Sequence, residues 1–253
     1  MNIITNKKIT ALPTLPASGF IKTPVPHLPK VRILLLPDWQ GGGTSYMQRM
    51  ATQLNTLFAA EVIILHQYQP TFSPTNYPVD GRPAVRQLLR NRQSCRAWMV
   101  DILRHLQPHW RHDDCPLMLI GFCLGGTLAF EAARHSNTAD LAISVHGNPG
   151  TDMSLKPEYF DTQMVYIRGG SDPLIPALSE ELFFKEMRCN KRQWFCHTIG
   201  NSRHSFTKEE VGYEGPGSVF DEQAMALSFQ LIACHVRQKL SQQHSTTAIS
   251  AMA

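Results

Sequence analysis

A chain of 253 residues, 43% hydrophobic and 17% charged, can bury a sizeable core in one domain and is not a disordered protein. Its formal net charge of +4 is spread along the chain, with no dense Lys/Arg block interleaved with aromatics, which argues against a nucleic-acid partner. No apolar stretch approaches the ~20 residues of a membrane span. The first eight residues lack the continuous apolar run of a secretory signal, and the six cysteines form no Cys-x-x-Cys pair, so free thiols in a reducing, cytoplasmic compartment are expected.

Residues 1–30 carry five prolines and little periodicity. They read as an N-terminal arm, with a short antiparallel strand near Phe20 and Ile21. From Val31 onward, short uninterrupted apolar runs alternate with helix-forming segments. Strands are expected near 31–37, 61–66, 117–122, 141–146, 163–168 and 193–199, and helices near 45–58, 84–106, 125–135, 176–188 and 219–239. Apolar runs without an exposed face suit strands buried on both sides, so the class is α/β, with a mostly parallel central sheet and helices on both faces. The domain spans 31–240, and the Ser/Thr/Ala-rich segment 241–253 reads as a disordered tail. Between the second strand and the next helix, residues 67–83 hold four prolines and three aromatics, a loop long enough to cover part of a site. Arg82, Arg86 and Arg90 then fall four apart, on one face of a helix start, where a solvated face is the simplest reading. His105, His109 and His112 could suggest a metal site, but Pro108 is expected to interrupt the helix that would align them, so a frayed, exposed helix end is the expected reading. Trp98 and Met99 read as core.

The segment Gly121-Phe122-Cys123-Leu124-Gly125-Gly126 stands between an apolar strand run, 116–120, and a helix-forming run, 127–134. Strand, glycine-bracketed turn and helix are the setting of a nucleophile elbow, with cysteine in the position usually held by serine. Its glycines permit the sharp turn and a close helix, and the helix N-terminus favours a thiolate. Taken alone, the segment fits a buried structural cysteine equally well. Two later residues tilt the balance. Asp172 follows the run 164–167, and His204 follows the run 194–199, each just past a strand end and in the chain order nucleophile, acid, base. His204 would take the Cys123 proton, Asp172 would orient His204, and the thiolate would attack an acyl carbon.

These motifs resemble the dienelactone hydrolase family of the α/β-hydrolase superfamily. The elbow resembles that family's G-[YF]-C-x-G-G. The segment Gly170-Ser171-Asp172-Pro173-Leu174-Ile175-Pro176 resembles its G-x-x-D-x-x-[VI]-P, and His204-Ser205-Phe206 its H-[AGS]-F; the likeness spans about residues 31–240. It implies an α/β-hydrolase fold, hydrolysis of esters or lactones, and no metal or organic cofactor. By the resemblance Asp38 stands where the family has a Glu that modulates the cysteine. The backbone N–H groups of Trp39 and Leu124 would form the oxyanion hole. Lys208, four residues after His204, stands in place of a substrate-gripping Arg, and a partner Arg would come from the region of Arg82 and Arg86. His146 ends the fourth strand, where it would border the pocket or simply close the strand.

The expected function is cysteine-dependent hydrolysis of small carboxylic esters or lactones through an acyl-enzyme, by a monomer or homodimer. Thioester hydrolysis is one alternative. A non-catalytic hydrolase-like scaffold that binds or senses redox through Cys123 is another.

Overall fold

The computed structural model describes residues 20–22, 29–66, 89–110, 115–151, 161–189 and 192–250. Its strands are β1 (Phe20–Lys22), β2 (Arg32–Leu36), β3 (Glu61–Leu65), β4 (Leu117–Phe122), β5 (Leu141–Val145), β6 (Gln163–Gly169) and β7 (Trp194–Ile199). They form one sheet in the order β1-β3-β2-β4-β5-β6-β7. All neighbours pair in parallel except β1, which lies antiparallel on β3 with Phe20 opposite Leu65. Part of the arm therefore completes the sheet, close to where its short strand was expected.

The helices are α1 (Ser45–Phe58), α2 (Arg92–Trp110), α3 (Leu124–Ala133), α4 (Ala177–Cys189) and α5 (Glu222–Ser250). Because side chains alternate across a strand, neighbouring positions feed two separate cores. Leu34, Leu36, Ile63 and Leu119 pack with Met99 of α2, Leu128 and Phe130 of α3 and Phe183 of α4. Ile33, Leu35, Val62 and Ile120 pack on the opposite face with Met47 and Leu54 of α1 and Ile232 and Val236 of α5. Each such side chain, once fully buried, contributes about 1.5–3 kcal/mol. The expected α/β architecture with both sheet faces covered is thus present.

Three helix boundaries differ from the sequence reading. The helix expected over 84–106 is interrupted at 90–91, between a helical Leu89 and a helix that starts at Arg92. Asn91 caps it there: its side-chain oxygen accepts from the Ser94 N–H at 3.0 Å and its carbonyl from the Cys95 N–H at 3.1 Å. The same helix continues through Pro108 to Trp110. A proline in this last turn removes only the N–H that would reach the carbonyl of Arg104, an exposed residue, so the helix is not broken there. Finally, α5 begins after Asp221, whose Oδ1 accepts from the Ala224 N–H at 2.9 Å, and runs to Ser250. The segment from 241, read as a disordered tail, is helical as far as Ser250, since nothing between Glu222 and Ser250 is Gly or Pro.

The helix after the elbow is anchored from within. Arg134 is fully buried, donating to Glu131 at 3.1 Å and to both carboxylate oxygens of Glu186 at 2.8 Å. Glu131 also accepts from Arg96 of α2 at 2.9 Å. The last turn of α3 is thereby tied to α2 and α4. No helix among the described residues is long and apolar enough to cross a membrane.

Candidate active site

The carboxyl ends of the parallel strands bring the sequence-predicted residues to one edge of the sheet. Cys123 follows β4 and immediately precedes α3, with φ 53° and ψ −117°. For a non-glycine residue such backbone costs roughly 1–3 kcal/mol and persists only where its surroundings enforce it. They do so here. The Cys123 N–H is shared between the Val145 carbonyl at 3.0 Å and His146 Nδ1 at 3.1 Å, while its carbonyl accepts from the Gly126 N–H at 3.0 Å. A Cβ at Gly125 would run into the backbone carbonyl of Leu36, and one at Gly121 into that of Gly125. Close approach, more than conformational freedom, is what demands these two glycines.

His204 Nε2 lies 3.1 Å from the Cys123 sulfur, and its Nδ1 lies 2.7 Å from Asp172 Oδ2. The side chains of His204 and Asp172 are 7% and 5% exposed, so solvent screens their interaction little. The other oxygen of Asp172 accepts from the Leu174 N–H at 2.8 Å, which leaves Oδ2 turned to the imidazole. The histidine loop is clamped in turn: His204 N–H donates to the Gly217 carbonyl at 3.3 Å, and the His204 carbonyl accepts from the Val219 N–H at 3.1 Å. Burial pulls the His204 pKa down, but the facing Cys123 sulfur and the Asp172 carboxylate outweigh it and raise the imidazole to about 10. The imidazole is thus held toward its protonated form directly beside the sulfur, 3.1 Å away.

Behind the elbow stands a buried polar chain. An N–H can only donate, so His146 Nδ1 must be the bare nitrogen that accepts from Cys123, and His146 Nε2 carries the proton. Nε2 donates to Thr207 Oγ1 at 2.9 Å, and Thr207 Oγ1 meets the Tyr46 hydroxyl at 2.6 Å. Burial first, and then the charges of His204 and Lys208, push the His146 pKa well below its usual value, so the ring stays neutral. Burial likewise raises the Tyr46 pKa and keeps it a phenol. Neither Tyr46 nor Thr207 carries a sequence signal. His146 itself serves the elbow through its ring, and closes the strand with φ 41°.

Asp38 and Lys208, expected as two separate site residues, meet each other. The Lys208 ammonium forms an ion pair with Asp38 Oδ2 and a hydrogen bond to Gln40 Oε1, and Asp38 Oδ1 accepts from the Gln40 N–H at 3.0 Å. Asp38, expected to modulate the cysteine, is thus paired with a buried ammonium. Lys208 is correspondingly engaged within the protein. Trp39, next to Asp38, is at the end of β2, and Leu124 opens α3. Among the described residues neither backbone N–H donates to a protein acceptor, as an oxyanion hole requires. Arg82 and Arg86 lie outside the described residues. Beyond β5, a cavity of about 430 Å³ is lined by Arg90, Asn148, Gly150, Ser179 and Leu182. Among the described residues no group of three or more His, Cys, Asp and Glu is placed to hold a metal ion.

The sequence model of the dienelactone hydrolase family matches residues 18–238. No curated protein matches the chain. Among solved structures, a dienelactone hydrolase-like promiscuous phosphotriesterase from metagenomic libraries is similar at 19% identity and a TM-score of 0.74, covering 87% of this chain and 98% of its own. A dienelactone hydrolase from Anabaena variabilis is similar at 16% identity and a TM-score of 0.59, covering 83% and 86%. The esterase PE8 follows at 13% identity and 0.60, covering 87% and 98%. At these identities the likeness carries the fold.

Proposed function

The chain belongs to the dienelactone hydrolase family, whose members act on ester bonds, and on that premise we propose that it cleaves small carboxylic esters or lactones through an acyl-enzyme on Cys123. The observation that carries this reading is the line from sulfur to imidazole to carboxylate, 3.1 Å and then 2.7 Å, inside a buried edge of the sheet. The Cys123 thiolate adds to the carbonyl carbon of the ester, and the carbonyl electron pair moves onto oxygen. The N–H groups of Trp39 and Leu124, the latter at the positive end of α3, receive that oxyanion; one such donor is typically worth ~2.7–4 kcal/mol in the transition state. As the oxyanion collapses, the bond to the leaving oxygen breaks and the His204 imidazolium gives it a proton. Water then attacks the thioester, His204 takes its proton, and the acid departs as the Cys123 thiolate re-forms. Asp172 holds Nδ1 protonated throughout, so that Nε2 faces the sulfur in both half-reactions. His146 holds the elbow from behind. All six cysteines are free of disulfides, in keeping with a reducing cytoplasmic setting.

Steady-state hydrolysis of a panel of small lactones, aryl esters and thioesters, by the native chain beside Cys123→Ala, tests this reading. Turnover lost in the variant supports it, and the preferred member fixes the substrate class. Equal rates from both proteins would remove Cys123 as the nucleophile.

A further inference from the structure

The Asp38–Lys208 pair occupies ground that the reaction sequence above does not use. Asp38 follows β2, directly before the proposed oxyanion donor Trp39, and Lys208 lies in the loop of the proposed base, His204. The residues are only 3% and 6% exposed. Among the described residues the ammonium faces three partners. It meets the Asp38 carboxylate, the Gln40 amide oxygen, and the face of the Tyr46 ring at 5.3 Å from the centroid. The carboxylate is closed as well, since its second oxygen accepts from the Gln40 N–H at 3.0 Å.

The pair is also within electrical reach of the site. The charge of Lys208 is felt at His146, whose ring touches both the Cys123 N–H and, edge to face at 5.3 Å, the His204 ring. The charges of Asp38 and Cys123 are both felt at Tyr46. A ligand arriving at the sulfur therefore meets a sulfur and an imidazole that together sum to zero, the Asp172 carboxylate behind them, and a carboxylate–ammonium pair that again sums to zero, so no uncompensated positive charge awaits it there. To bind a substrate carboxylate, Lys208 would have to leave Asp38 behind as a buried, uncompensated anion next to the arriving one. Beside the acid-bearing loop the surface is apolar. Leu174, two residues past Asp172, is 54% exposed, and Leu178 one turn on is 64% exposed.

We propose that Asp38 and Lys208 form an internal neutral pair that sets the charge preference of the site, so that its substrates are uncharged esters or lactones and not carboxylate-bearing ones. The substrate class rests on the hydrolase reading above; the charge preference at Cys123 does not, and it is measurable without turnover. Iodoacetamide and iodoacetate have nearly the same shape and differ in charge. Each is attacked at its methylene carbon by the thiolate, forming a C–S bond and expelling iodide. Their rates at Cys123 are read by mass spectrometry of the Cys123 peptide, which keeps the exposed Cys189 and Cys234 out of the result.

In the native protein iodoacetamide should react at least as fast as iodoacetate. Asp38→Asn leaves the ammonium unpaired and should raise the iodoacetate-to-iodoacetamide ratio by roughly 10-fold or more. The double variant Asp38→Asn/Lys208→Met replaces a neutral pair by neutral side chains, avoids the orphaned charge, and should hold the native ratio to within about threefold. Faster native reaction with iodoacetate overturns the proposal, whichever residue supplies the attraction. So does a drop of roughly 10-fold in the ratio for the double variant, which would make Lys208 a working anion receptor. With turnover in hand, an aryl butyrate should exceed the aryl hemisuccinate in kcat/KM by roughly 10-fold, and the reverse order refutes the substrate class. Absence of all turnover beside the expected alkylation pattern would remove the hydrolase reading and leave the charge preference standing.

Discussion

Replacing Asp172 by asparagine changes one atom, and the surroundings dictate how that atom lies. Oδ1 is held by the Leu174 N–H at 2.8 Å, a bond that only an oxygen can accept. The asparagine must therefore place its NH2 where Oδ2 now faces His204 Nδ1 at 2.7 Å. Two donors cannot share that contact, so the imidazole gives up the Nδ1 proton and carries one on Nε2 instead, pointing at the Cys123 sulfur 3.1 Å away. The ring then cannot accept the thiol proton. Loss of the charge-assisted hydrogen bond alone is worth about 1.5–3 kcal/mol, roughly a 10- to 150-fold loss of kcat/KM. Full inversion of the tautomer has cost about 10⁴-fold in the corresponding serine enzymes. The His204 pKa, now held up at about 10, should also fall. The assay is kcat/KM on an activated aryl ester across pH 5–10, together with thiolate absorbance and circular dichroism to verify the fold. A folded Asp172→Asn protein within threefold of native kcat/KM at neutral pH would refute this account of the acid's role.

Thr207→Val keeps the shape of a fully buried side chain but orphans His146 Nε2–H and the Tyr46 hydroxyl. Urea unfolding should show a loss of about 1–3 kcal/mol per orphaned group, and kcat should fall as the elbow loses its support; an unchanged midpoint would show that the chain bears no load. Gly125→Ala should yield no folded protein, or one of much lower Tm, because both obstacles to its Cβ are backbone carbonyls of Leu36 and Pro37; a native Tm contradicts the close approach. His235 meets His197 at 2.8 Å, and burial followed by the His197 charge lowers its pKa from 6.5 to about 4. Between those values the unfolded chain binds more protons than the folded one, so this histidine's share of stability is intact above pH 6.5 and drains as pH falls toward 4. His235→Phe should lose less stability than native over that window in urea titrations, and parallel curves would contradict the assignment.

The parts of this molecule that follow local rules can be read from the chain. Runs such as Ile33–Leu36 and Met118–Ile120 are apolar at every position because both sheet faces are covered, and the residues after them mark the site edge. Cys123, Asp172 and His204 were legible because each follows such a run and the order is constrained. What could not be read depends on contacts between distant positions. Nothing local joins Asp38 to Lys208, 170 residues apart, and each looked like a separate site residue until the fold faced them together. Tyr46, His146 and Thr207 come from three different segments and share no spacing rule. Asn91 falls inside the helix expected over 84–106, and its side chain instead starts a new one. The low-complexity composition of 241–253 suggests a tail, yet the absence of Gly and Pro from Glu222 to Ser250 lets the last helix run on.

The three residues of β1 have a significance unrelated to chemistry at the sulfur. They cover the outer hydrogen-bonding edge of β3, whose residues Val62–Leu65 are almost wholly apolar and at most 2% exposed. A molecule clipped between Lys22 and β2 would keep every residue of the triad yet present a bare, sticky strand to its neighbours. Its shelf life, light scattering on warming and recovery after refolding would suffer before its rate per molecule did. β1 thus shields an edge that would otherwise be open to self-association, and a truncation that removes residues 20–22 should trade away colloidal behaviour.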